Sequence, residues 1–245
     1  MAAPLTLPGP VADLCAELAT IAGVSAVTIG GSRATGSADE TSDWDVGVYY
    51  RDAPDFAMLA RRGELHRPGS WGRIMNGGAW LRIDGLKVDV LLRDLDVAVY
   101  WSERARAGRY EVDALLGYLA GIPTYSLMAE LALNRVVAGA LPPVTAFPAA
   151  LAEAGRVRWR QHAEFSLLHA RMRAERGDVI GTVGQAAKAV LEVAHARLCE
   201  RREWVLNEKH MVERAGLGDL QTRFGGVGAS AAALTAWVEA LREPL

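Results

Sequence analysis

The stretch TIGGSRATGSADETSDWDVGVYY, residues 28–50, holds the residue types and spacings that could do chemistry. Gly30 and Gly31 lack β-carbons, so the main chain there can approach a ligand and turn its N–H groups toward phosphate oxygens. Ser32 adds a hydroxyl donor, with a helix start expected after it. Ten residues separate Ser32 from Asp43-Trp44-Asp45. On a strand, Asp43 and Asp45 project from one face and Trp44 from the other. Two carboxylates about 4 Å apart repel by on the order of 4 kcal/mol at an effective dielectric near 20. A divalent cation between them removes that cost, and hard oxygen ligands favour Mg²⁺ or Mn²⁺. A lone D-x-D is common at exposed strand ends; the Gly-Gly-Ser turn at fixed distance is what gives this one meaning. Downstream, Asp89 interrupts the apolar run GLKVDVLL, and a buried charge needs a partner. On a neighbouring strand it would join the same cluster, and three carboxylates can hold two metal ions roughly 4 Å apart. Asp84 reads as a turn residue, and Asp94 and Asp96 as a helix start.

The elements that must position these residues follow from periodicity. Residues 10–23 read as a helix stopped by Gly23, Val24–Ile29 as a strand, and 43–50 as a second strand. A short helix is expected at 54–62, then the Gly-rich stretch RPGSWGRIMNGG. AWLRIDGLKVDVLLRD reads as a β-hairpin turning at Asp84-Gly85. Residues 94–107 and 111–138 read as helices, the second broken at Gly121-Ile122-Pro123. GALPPVTAFP, 139–148, has three prolines and no charge and marks a domain boundary. Helices are expected beyond it at 150–176, 179–202 and 229–242, with no strand. The fold class expected is therefore α+β: a mixed β-sheet flanked by helices over residues 1–140, then a helical bundle over 149–245.

Composition sets the bounds. In 245 residues, 51% hydrophobic, 27 basic side chains face 29 acidic ones, a formal charge of −2. Such a chain has a core of its own and no electrostatic handle for a polyanion, so a stable nucleic-acid partner is not expected. The first 149 residues hold 13 basic and 17 acidic side chains; the remainder hold 14 and 12. Cys15 and Cys199 stand apart, with no C-x-x-C pair, and read as reduced thiols. MAAPLTLPGP has no basic n-region, and no uncharged stretch spans a membrane without Gly or Pro, so a cytoplasmic protein is expected. The arginines of 156–176 interleave with Glu164 and Glu175 and read as a salt-bridged helix face. His162, His169 and His195 form no metal set with one another.

GGSRATG, the ten-residue spacer, D-W-D and the later V-D-V resemble the signature of the DNA polymerase β-type nucleotidyltransferase superfamily over residues 24–92. The G-S-R-A-x-G form is most similar to the small-molecule, aminoglycoside-type members, and the helical second half resembles their C-terminal bundle more loosely. The resemblance implies an N-terminal nucleotidyltransferase domain with a helical substrate-binding domain after it. It implies that Gly31 and Ser32 bind the triphosphate, that Arg33 assists or braces the loop, and that Lys209, in WVLNEKH, reaches the nucleotide. Asp43, Asp45 and Asp89 would hold Mg²⁺, with two ions and Mn²⁺ as a substitute. Asp89, or a glutamate of the helical half (Glu153, Glu164 or Glu192), would serve as base. The implied reaction is attack of a small molecule's hydroxyl, an aminoglycoside-like antibiotic among the candidates, on the α-phosphorus of ATP, releasing pyrophosphate. Trp71, Trp80, Trp101, Tyr49 and Tyr125 are candidates to line the acceptor's seat. Two other functions fit the same motif: a protein adenylyltransferase of antitoxin type, and a catalytically silent nucleotide-binding module. The chain would act as a monomer or homodimer.

Overall fold

The computed structural model describes residues 5–36, 38–39, 41–52, 54–243 and 245. The first four residues of the N-terminal segment, and Ser37 and Glu40 of the expected polar loop, lie outside these. Packing divides the chain into two units, Met1–Glu103 with Leu127–Ala146, and Arg104–Ser126 with Phe147–Leu245. The third crossing, after Ala146, falls inside the Pro-rich stretch expected as a boundary. Residues 104–126 group with the helices.

The first unit opens with α1 (Gly9–Ala19), whose buried Val11, Leu14, Cys15 and Leu18 follow the helical repeat read from the sequence. Then come β1 (Val24–Ile29), α2 (Gly31–Thr35), β2 (Trp44–Tyr50), α3 (Ala57–Ala60), β3 (Gly63–His66), α4 (Gly72–Met75), β4 (Gly77–Ile83), β5 (Leu86–Asp94) and α5 (Leu95–Arg106). In the second unit's first segment lie β6 (Val112–Asp113) and β7 (Ile122–Pro123). The chain then returns through α6 (Ser126–Leu133) and β8 (Arg135–Gly139). The helix expected over 111–138 is thus corrected to two short strands, a two-turn helix and an edge strand. Gly117, Gly121 and Gly139 each take positive φ there, which ends helical runs.

Six strands form one mixed sheet in the order β3-β4-β5-β2-β1-β8, and β6 and β7 pair separately with each other. Only β2 and β5 run parallel; the other neighbouring pairs are antiparallel. The β4–β5 hairpin turns at Asp84 and Gly85, with φ of 48° and 82°, the paired positive values of a type I′ turn. One face of the sheet is apolar: Val27, Ile29, Trp44, Val46, Val48, Val88, Val90 and Leu92 pack with Val11, Leu14 and Leu18. Period-two alternation sends Thr28, Asp45, Tyr49, Asp89 and Arg93 to the other face.

In the second unit, α7 (Ala149–Ala174) and α8 (Val179–Glu200) form a helical hairpin, followed by α9 (Met211–Arg214), α10 (Leu220–Phe224) and α11 (Ala231–Arg242). Small residues at the seam, Ala163, Ala170, Ala186 and Ala189, are buried and let the helices approach closely. Asp178 caps α8, its carboxylate accepting from the Gly181 N–H at 2.9 Å. The arginine run is ion-paired as expected: Arg156 with Glu153, and Arg171 with Glu175 and Glu239. No helix among the described residues is long and apolar enough to cross a membrane.

His195 is 1% exposed, stacked on Trp159 at 4.2 Å, with Nδ1 3.2 Å from the Tyr125 hydroxyl. Burial pushes its imidazole down to about 3 from an ordinary 6.5. The unfolded chain therefore takes up a proton that the folded chain refuses, and stability is lost as pH falls from about 6.5 toward 3. Urea denaturation at pH 7.5 and 5 should show that loss, and His195→Gln should remove His195's share of it.

Candidate active site

The site grows from the end of β1. The Gly30 N–H donates to the Asp45 carbonyl at 2.8 Å, tying the turn to β2, and the chain enters α2 at Gly31 with φ of 60°. The first N–H groups of a helix have no acceptor inside it and point outward from the turn. The Asp45 carboxylate lies against Gly31: a β-carbon there would fall 1.8 Å from Oδ2 and 2.8 Å from Cγ. Glycine is required at 31 both for its left-handed backbone and for this contact. Asp45 is the register partner of Asp89 on the parallel strand β5. Neighbouring strands lie about 4.8 Å apart, so the two carboxylates sit side by side. The turn, Asp45 and Asp89 thus run in a row across three segments distant in sequence.

Asp43 stands just before β2. Its Oδ1 is shielded from solvent, accepts no hydrogen bond, and faces the Lys87 ammonium at 3.7 Å. Lys87 lies two residues before Asp89, so the same alternation places both on the site face, a signal the sequence reading passed over. Among the described residues no three His, Cys, Asp or Glu side chains gather closely enough to hold one metal ion. The structure pairs Asp45 with Asp89 and keeps Asp43 on Lys87, so the three expected ligands do not close into one group. The donors nevertheless suit a hard cation: carboxylate oxygens on one face, one of them shielded and without a hydrogen bond.

Arg33 braces the loop, the second of its two expected roles. It donates through Nε to the Asp43 carbonyl at 3.1 Å and through Nη2 to the Ser42 carbonyl, with its guanidinium 4.2 Å over the Trp44 ring. Arg135 supports α2 from β8, donating to the Ala34 carbonyl at 3.1 Å.

Behind the carboxylates lies a polar network that sequence reasoning missed. Arg93, 1% exposed, is gripped by Glu130 at 2.7 and 2.8 Å and donates to the Met75 carbonyl at 2.7 Å. Arg93 is the register partner of Tyr49, whose hydroxyl donates to Glu130 at 3.4 Å. Burial holds the Tyr49 phenol well above its ordinary value, so it stays a donor. Asn134, one helical turn beyond Glu130, donates to the Tyr49 and Thr28 hydroxyls at 3.2 and 3.3 Å. Gly47 makes room for this: a β-carbon there would fall 2.5 Å from Thr28 Oγ1.

Lys209 is exposed in the second unit, in the turn before α9, with its own N–H on Asn207 Oδ1 at 2.9 Å. Of the three glutamates named as alternative bases, Glu153 and Glu164 are exposed. Glu192 is 2% exposed, its carboxyl pushed above the ordinary value by burial. Three of the aromatic candidates, Tyr49, Trp101 and Tyr125, are buried and line nothing open; Trp71 and Trp80 are accessible.

Gly31→Ala should lower turnover at least about 100-fold and cost about 1–3 kcal/mol of stability, since it strains φ and displaces Asp45. Gly36→Ala is the control: φ is also positive, at 78°, but nothing lies within 4 Å of its β-carbon. It should cost only about 1–2 kcal/mol and spare activity. Steady-state kinetics and thermal melts of the two variants measure the difference.

Residues 13–116 match the family model described as a nucleotidyltransferase domain, a span that takes in Gly31, Ser32, Asp43, Asp45 and Asp89. No curated protein matches the sequence significantly. Among solved structures, the chain is similar to a nucleotidyltransferase-like protein from Exiguobacterium sibiricum 255-15, at 12% identity over 96% of this chain and 74% of that one, with a TM-score of 0.46. It is also similar to an aminoglycoside 6-adenyltransferase from Bacillus subtilis, at 9% identity over 96% and 89%, with a TM-score of 0.27.

Proposed function

We propose, from the premise that this chain is a nucleotidyltransferase with a DNA polymerase β-type catalytic domain in its first unit, that it moves a nucleoside monophosphate, AMP from ATP, onto a hydroxyl of a small molecule. The observation that carries this reading is the row formed by the Gly31 turn, Asp45 and Asp89. The main-chain N–H groups at Gly31 and Ser32, with the Ser32 hydroxyl, bind the outer phosphates. Asp43, Asp45 and Asp89 would hold a divalent cation, Mg²⁺ by its preference for hard oxygens, and bound there it would neutralise charge on the nonbridging oxygens of the α-phosphate. Lys87 stands on the same face of the sheet, beside Asp43. Asp89 stands on the side of the pair away from the glycine turn and takes the proton of the attacking hydroxyl. Arg33 keeps the 42–43 main chain in place, so that Asp43 and Asp45 need not reorganise during the reaction. The chain works in the cytoplasm, on small hydroxylated acceptors that include aminoglycoside-like antibiotics.

The test is pyrophosphate release from each of the four ribonucleoside triphosphates, with Mg²⁺ and a panel of hydroxylated acceptors. The product is identified by its mass. Acceptor-dependent release with a monophosphate added to the small molecule is expected. Label carried to a polypeptide instead, or no Mg²⁺-dependent binding of ATP by calorimetry, would overturn the reading.

A further inference from the structure

The outward face of α7 carries mostly charge, with one exception. Phe165, Leu168 and Met172 follow one another at intervals of three and four residues, the spacing of a coiled-coil seam, so they share one side of the helix. All three are exposed, Phe165 to 64% and Leu168 to 46%. Ala163, Leu167 and Ala170, on the other side, already supply the hairpin's core. The fold of one chain therefore does not need an apolar residue at 165, 168 or 172, and adjoining apolar side chains left in water mark a contact with another molecule. Two charges border the stripe. Arg171 pairs with Glu175 and Glu239. Glu164 is exposed and has no ion pair within the chain among the described residues.

We infer that this stripe docks on the α7 of a second copy of the chain, antiparallel, with the two-fold axis at Leu168. The argument is self-complementarity. Leu168 set against its own copy puts Phe165, three residues before it, opposite Met172, four residues after it. It also puts Glu164, four before, opposite Arg171, three after. Each pair forms twice, once on either side of the axis, as a two-fold interface requires. The flanks agree with the register. At about 100° per residue, Glu164 and Arg171 lie to one side of Leu168 and Phe165 and Met172 to the other. A two-fold axis perpendicular to the plane of two antiparallel helices keeps each flank on its own side, so carboxylate meets guanidinium and ring meets thioether. Gln161, one seam position further out, comes opposite Glu175 and can donate to it. Parallel pairing would instead set Glu164 on Glu164 and Arg171 on Arg171, like charge on like. A different protein would have no reason to match α7's own sequence read backwards; a second copy does.

The experiment is sedimentation velocity of the full chain at concentrations from about 1 to 100 μM, the weak end of what specific interfaces give. The wild type should pass from the mass of one chain to that of two. Leu168→Glu, which brings two carboxylates together at the axis, should weaken association at least about 100-fold. Glu164→Arg and Arg171→Glu should each weaken it about tenfold, and an equimolar mixture of the two should associate like the wild type, since each chain carries the charge that the other lacks. Thermal melts verify that the variants are folded; Glu164→Arg, which breaks no ion pair of its own chain, carries the charge test if Arg171→Glu melts early. A cross-link reads the register. Leu168→Cys should join to its copy under mild oxidation with copper phenanthroline, and Gln161→Cys should not, standing about 20 Å from its own copy along antiparallel helices. Cys15 and Cys199 are buried and do not compete. One chain's mass at every concentration would overturn the proposal. So would association that survives Leu168→Glu, or joining by Gln161→Cys, which would mean a parallel pair.

Discussion

Asp45→Asn should fold as the wild type does and turn over on the order of 10³-fold more slowly. The substitution keeps the size of the side chain and its fit against Gly31, and removes one charge. Asp45 is the central member of the row, touching the glycine turn on one side and paired in register with Asp89 on the other. Its charge is needed to hold a cation, and nothing in the apolar core depends on it. The melting temperature should stay within a few degrees of the wild type's. Measuring kcat and thermal melts together checks it. Asp89→Asn should behave alike, and full turnover by either variant would remove the carboxylate pair from the mechanism.

Glu130→Ala should cost about 3–5 kcal/mol of folding stability, a larger structural penalty than any change at the carboxylate row. The reason is what it leaves behind. Arg93 would keep its charge at 1% exposure without the two bonds that Glu130 supplies. The Tyr49 hydroxyl would lose its acceptor as well. Glu130→Gln keeps one acceptor for the guanidinium and should cost less. Replacing both partners, Arg93→Met with Glu130→Leu, should recover most of the loss, because the penalty lies in the orphaned charge. Urea denaturation of the three variants separates these cases. Turnover in the double variant then tells whether the network also steadies Asp45 and Asp89, which stand on the same sheet face four residues before Tyr49 and Arg93.

The carboxylate row was legible in the sequence because local rules encode it. Period-two alternation gave the faces of β2 and β5, Asp84-Gly85 gave the hairpin, and Gly30-Gly31-Ser32 gave the turn. The pairing of Asp43 with Lys87 depends on the parallel register of β2 with β5, which local rules do not give. The Arg93–Glu130 pair was illegible for another reason. Glu130 and Asn134 lie in a stretch, 111–138, that reads as helical with a break at Gly121-Ile122-Pro123. The chain there is in fact cut into β6, β7, α6 and β8 by glycines and a proline.

The return of the chain through α6 and β8 has a consequence for biosynthesis. Ala26 of β1 pairs with Gly139 of β8, and the residues between them include a whole excursion into the other unit. At about 5–20 residues per second on the ribosome, the edge of β1 waits on the order of ten seconds for its cover. For that interval a hydrophobic strand offers open N–H and C=O groups to any passing strand. Glu130 and Asn134 arrive with the same late segment, so the nascent polypeptide gains its protected edge and the polar network behind the carboxylates in one event. A message truncated before codon 139 should yield an aggregating product.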